Sequence, residues 1–142
     1  MRVRTAAFGG WIWYLGEKEP NFDEHKCGKW MYFFEDRSFV EQICADAIRT
    51  ESVLECKHTD GPTGVACFYL ECDDVEAHKR ILRFFLDNNL IRRTKTGRLY
   101  NIGFKQDDQT RACQYGTDFK AEIKLSRFIN LDTGGWIYGK EQ

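Results

Sequence analysis

No apolar run in this 142-residue chain approaches the ~20 residues that a membrane-crossing helix needs. The start, MRVRTAAFGGWIWYLGEKEP, is basic, but its apolar stretch is short and interrupted, which argues against a secretory leader and for a cytoplasmic protein with no membrane partner. No CxxC pair occurs, and His25, His58 and His78 stand at no ligand spacing from the cysteines at 27, 44, 56, 67, 72 and 113. Most of those cysteines lie in apolar, strand-like or helix-like segments, so they read as buried thiols of a reducing compartment rather than as zinc ligands or a disulfide framework. A phosphate-cradling P-loop and a dinucleotide glycine fingerprint are both missing, and no cofactor or metal is expected. A basic surplus is missing too. With 21 Lys and Arg against 22 Asp and Glu, the net charge of −1 weighs against a broad, non-specific nucleic-acid binder. Internal repeats, linkers and low-complexity tracts are lacking, so residues 1–142 read as a single domain.

What the chain does have is aromatic bulk. Phe, Trp and Tyr make up 15% of it, within a globular balance of 42% hydrophobic and 30% charged residues. GWIWYL at 10–15 alternates as a strand, with Trp11, Trp13 and Leu15 on one face. The polar stretch GEKEPNFDEHKCG reads as a loop, and KWMYFF as a second strand, bulky on both faces and so expected to be covered on both sides. Phe39, Val40, Ile43, Cys44, Ala47 and Ile48 then draw one helical stripe, with Asp36 or Ser38 at its start. SVLECKHT and VACFYLE follow as two strands joined by the turn DGPTG.

A second helix begins at Asp73 or Asp74. Val75, Ile81, Leu82, Phe85 and Leu86 supply its buried side, His78, Lys79, Arg80 and Arg83 its flanks, and Asn88-Asn89 its end. RLYNIGFK alternates like a strand, and shorter strand-like pieces occur at RACQYG, FKAEIKLSRFI and GWIYG. The order of elements predicts an α+β fold: a mainly antiparallel sheet with two or more helices gathered on one face.

Four pieces of sequence carry a resemblance: Gly28-Lys29-Trp30-Met31, an apolar strand leading into Asp74-Val75, Phe104-Lys105 followed by Asp107 and Thr110, and Tyr115-Gly116. Over about residues 28–116 the chain resembles a family of cytosolic proteins that includes the basophilic-leukaemia-expressed protein of animals. Those proteins look like the messenger-RNA cap-binding initiation factor in fold. The resemblance implies a curved antiparallel sheet backed by helices, an architecture more than an activity.

The functional lead is LIRRTKTGRLYNIGFKQDDQTRACQY, residues 90–115. Arg92, Arg93, Lys95 and Arg98 surround Gly97, and Lys105 and Arg111 follow. Arg offers phosphate a planar fork of donors and Lys a point charge. Tyr100 and Phe104 share the parity of Arg98 on an ideal strand, which would set an aromatic face beside a basic end. The same cations also suit a solvated turn after a helix C-terminus. With Trp11, Trp13 or Tyr100 stacking a base, the cluster points to a non-enzymatic protein that holds a nucleotide or short RNA. Such a binder would suit a phage or mobile element that sequesters nucleotide signals. The alternative is a protein-interaction module, an inhibitor that occludes a nucleic-acid-binding enzyme, with the acidic GEKEPNFDEH and the basic turn meeting a protein partner. A weaker third reading makes His58, within Lys57-His58-Thr59-Asp60-Gly61, the base of a phosphotransfer or hydrolytic enzyme.

Overall fold

The computed structural model describes residues 2–106 and 123–137. Its first two strands, β1 (Arg4–Phe8) and β2 (Trp11–Leu15), form an antiparallel hairpin. Gly9 and Gly10 link them with φ of 61° and 84°, the pair of positive values that a two-residue type I′ turn demands. The sequence reading missed β1 because RTAAF carries a single bulky apolar residue and no alternation to betray a strand.

β3 (Cys27–Phe34) follows the polar loop, and α1 (Arg37–Arg49) begins where Asp36 accepts a hydrogen bond from the Phe39 amide at 3.3 Å. β4 (Glu55–Thr59) and β5 (Gly64–Glu71) occupy the two segments expected of them. α2 (Val75–Asp87) is capped by Asp74, whose carboxylate accepts from the Ala77 amide at 3.1 Å. A two-residue strand, β6 (Lys105–Gln106), completes a six-stranded sheet in the order β1-β2-β4-β5-β3-β6. Every neighbouring pair is antiparallel. The fold is α+β, as the sequence implies.

Register decides which face carries the helices. Tyr14, Cys56, Phe68 and Trp30 lie side by side across four strands. The Cys56 thiol reaches the carbonyl of Cys44 on α1, and the Phe68 ring meets Phe85 of α2 edge-on at 5.2 Å. Both helices therefore cover this one face. Val40, Ile43, Cys44, Ala47 and Ile48 face inward from α1, and Ala77, His78, Ile81, Leu82, Phe84 and Phe85 from α2. Each large apolar side chain so buried contributes on the order of 1.5–3 kcal/mol. Buried side-chain nitrogens and oxygens among the described residues all have partners.

Gly28 is needed for the closure of this core. A Cβ there would run into the Phe104 ring and stand 2.8 Å from the carbonyl of Lys105. The bare backbone lets the later chain cross β3 and press Phe104 edge-on against Trp30, at 5.9 Å.

Five expectations need correction. β3 is covered on one face only: Gly28, Trp30 and Phe34 are buried, whereas Phe33 is 59% exposed, because both helices pack on the opposite side. RLYNIGFK is an extended crossing that becomes strand only at its last residue, Lys105, the first of β6. Its amides bond to several segments, Leu99 to Leu131, Tyr100 to Arg92 and Phe104 to Ile123, so no single ladder forms. The chain from Leu125 to Arg127 makes a 3₁₀ turn where strand was expected, and Ile129 and Trp136 meet in an isolated antiparallel bridge. His78 is buried instead of flanking α2, because it answers the indole of Trp30. Finally, Cys72 is disulfide-bonded, one residue past the end of β5, while Cys27, Cys44, Cys56 and Cys67 are thiols. RACQYG lies outside the described residues.

Candidate functional site

β6 pairs with β3 only at Gly28 and Lys29. From Met31 to Phe34, no described strand runs along that edge of β3, and the chain leaving α2 fills the gap. Asn89 turns it with a φ of 58°, and the buried side chains of Leu90 and Ile91 anchor it. The result is a groove of about 420 Å³ walled by Met31, Tyr32, Phe33, Leu90, Arg92, Tyr100, Ile102 and Gly103. It shares Tyr32, Phe33, Leu90 and Arg92 with an adjoining hollow of about 580 Å³, where Arg92 and Arg93 meet Glu35 and Asp36. Both volumes suit a small-molecule ligand. Phe33 and Tyr100, 59% and 47% exposed, offer ring surface to whatever enters.

The basic turn is a small hairpin. Tyr100 donates its amide to the Arg92 carbonyl at 2.9 Å, Thr94 to Arg98 at 2.8 Å and Gly97 to Thr94 at 2.9 Å, with Gly97 at a φ of 87°. Its cations are partly committed. Arg93 donates through Nη1 to the Gly97 carbonyl at 2.9 Å, and Arg98 through Nε to Asp132 Oδ1 at 2.9 Å. Arg92 lies 3.8 Å from Glu35. This contact is loose enough to yield to a stronger anion. Lys95 is exposed at the tip. Burial raises the pKa of the Tyr32 phenol, with the nearby Arg92 charge pulling it the other way.

Among the sequence-predicted residues, the structure brings Arg92, Arg93 and Tyr100 together, with Lys95 and Arg98 on the same turn. Phe104 does not join them. It turns into the core at 8% exposure, against the shared face that ideal strand parity predicts. Lys105 sits opposite Lys29 on β6, outside the groove lining. Arg111 lies outside the described residues.

Trp11 and Trp13 lie apart from this groove. They stand on the helix-free face of β2, with β4 and β5 between them and β3. Lys57 Nζ lies 3.9 Å from the centre of the Trp11 ring and 4.4 Å from that of Trp13, while Trp13 stacks on Tyr69 at 6.2 Å. The expected stacking rings and the expected phosphate-binding turn are thus on different parts of the sheet. Sequence reasoning missed Met31, Tyr32, Phe33 and Glu35. The unbroken apolar run of β3 was their signal, since it left a bulky residue over on the face without helices.

His58 and His78 do structural work. The Tyr14 hydroxyl donates to His58 Nε2 at 3.1 Å, and His58 Nδ1 donates to the Thr59 carbonyl at 2.8 Å. Burial first, then the neighbouring Cys44 and Glu41, hold the Tyr14 pKa far above the ordinary phenol range. The Trp30 indole N–H donates to His78 Nδ1 at 3.1 Å, and His78 Nε2 donates to the Cys72 carbonyl at 2.9 Å. Both imidazoles are enclosed and engaged at both nitrogens, so neither is presented to a substrate. No group of His, Cys, Asp or Glu among the described residues could hold a metal ion, and no described helix is long and apolar enough to cross a membrane. Comparison with protein-family models, with curated proteins and with solved structures finds no match.

Proposed function

We propose that this chain is a non-enzymatic binding protein that holds a nucleotide or the end of a short single-stranded RNA in the groove beside β3. The base lies against Phe33 and Tyr100, and the phosphates are held by Arg92 and Arg93, with Lys95 within the same turn. The observation that carries this reading is the convergence of two exposed aromatic rings and a loosely held arginine on one hollow of nucleotide size. Aromatic stacking is worth about 1–3 kcal/mol per base, and arginine reads phosphate with a fork of donors. The finer likeness to the cap-binding-factor type of fold belongs to the same proposal. It is supported by the antiparallel sheet with both helices behind it and by Gly28 and Trp30, which set the crossing of the later chain.

Native mass spectrometry of freshly purified protein, followed by titration with a panel of nucleotides and a short oligonucleotide, tests the reading. A bound nucleotide, with affinity lowered about tenfold or more by Tyr100→Ala and by Arg92→Ala, is the expected result, tenfold being about 1.4 kcal/mol. Lys105→Ala leaves the affinity unchanged. A ligand-free protein that binds nothing in the panel overturns it.

A further inference from the structure

The first strand of the sheet is also its edge, and among the described residues its one defence is the charge of Arg4 at the start. β1 reads RTAAF, all five residues exposed, with an uninterrupted register against β2 and no proline or lysine. In a two-residue type I′ hairpin the closing pair, here Phe8 and Trp11, exchanges hydrogen bonds. Alternation then turns Ala6 and Arg4 toward β2 as well. Thr5 and Ala7 are left with their N–H and C=O groups aimed out from the sheet.

The geometry points to a second copy of this chain as the occupant of that edge, paired antiparallel about a two-fold axis at Ala6. Thr5 of each copy then faces Ala7 of the other, and these are the residues whose backbone groups point outward. The same register sets Arg4 against Phe8 across the axis. Both lie on the helix-free face, and Phe8, 78% exposed, is the most exposed large apolar residue described. The Arg4 guanidinium rests at the end of β2, donating to the Gly16 carbonyl through Nε at 3.2 Å and Nη2 at 2.7 Å and lying 3.8 Å from the exposed Glu19 carboxylate, so it turns to the ring only by loosening that exposed pair. A cation opposite an open ring is a complementary pair, and the two-fold makes it twice. Registers that place the axis at Arg4 or Phe8 instead set like charge on like charge or ring on ring, and those centred on Thr5 or Ala7 set Arg4 against Ala6 or Gly10 rather than against the ring. Alanine at the axis allows the ~4.5 Å Cα spacing of a non-hydrogen-bonded pair. The sheet then runs unbroken through both copies, with the two Trp11–Trp13 platforms on one side.

Analytical ultracentrifugation over a concentration series, with cysteine cross-linking of the intact protein, tests this. The expected result is a concentration-dependent dimer that Ala6→Lys abolishes by facing two ammonium groups across the axis. Under mild oxidation Ala6→Cys cross-links between copies well above both the wild-type protein and Thr5→Cys, because only position 6 meets itself at disulfide distance. A wild-type protein that stays monomeric throughout overturns the proposal. Equal cross-linking of Ala6→Cys and Thr5→Cys overturns it as well, since that reports collision rather than register.

Discussion

The helix-covered face and the β3 edge are built from the same residue types to opposite ends. Behind the sheet, Trp30, His78, Phe104 and Phe128 crowd together, and each polar atom among them is answered inside the protein. Beside β3, Phe33, Tyr100 and Arg92 stand in contact with solvent, and the charge of Arg92 is answered only by a long, exposed contact with Glu35. Aromatic content alone therefore does not distinguish core from site. What separates them is whether a helix lies over the ring.

Breaking the covered side should cost most. Trp30→Ala removes a fully buried ring and strands the Nδ1 acceptor of His78, so we expect a loss of about 3–5 kcal/mol, read from urea denaturation midpoints. A smaller effect on the same side depends on pH. Burial lowers the pKa of His78, outweighing the opposing help of the Cys72 carbonyl. The unfolded chain then takes up the proton first, so stability is intact above the unfolded value near ~6.5 and falls as the pH drops from there toward the folded value, by at most ~1.4 kcal/mol per pH unit. His78→Gln should flatten that slope in denaturation curves collected across the range. An unchanged slope assigns the pH dependence to other groups.

The turn should respond more weakly. Gly97→Ala meets no atom within 4 Å, so its cost is the strain of a φ of 87°, on the order of 1 kcal/mol, visible as a small shift in Tm. Arg98→Ala removes an exposed pair with Asp132 and should cost under ~1 kcal/mol. Should either variant destabilise as much as Trp30→Ala, the contrast between a packed face and a lightly held edge is wrong.

How legible each region was follows the same division. α1, α2, β2, β3, β4 and β5 were readable because apolar spacing, turn residues and the caps Asp36 and Asp74 are local properties, written within a few residues of where they act. The crossing at 98–105 was not, although its alternation is strand-like. Its amide partners come from distant segments, and no local pattern states where they are. His78 illustrates the same limit, since a histidine next to Lys79 and Arg80 reads as surface until Trp30 is placed opposite it. At the candidate site, the clustering of Arg92, Arg93 and Lys95 is a sequence fact, but their companions Phe33 and Glu35 arrive from β3 and the residue just beyond it through tertiary structure. The tryptophans of β2 were singled out as stacking surfaces, and strand order alone moves them away from that groove.

The notch at Gly28 also sets an order of assembly. Phe104 can settle only onto a floor that exists once β3 and β5 have paired, and it arrives from far along the chain, so the loop it closes is costly before the sheet is in place. We expect the crossing segment to be the last part to dock and the first to leave. In native-state hydrogen exchange, the amides of Phe104 and Leu125, which bond to Ile123 and Ile102, should open together and at lower free energy than the β3–β5 ladder beneath them. The groove is partly walled by that same crossing, through Tyr100, Ile102 and Gly103, so such an opening would unmake one of its walls.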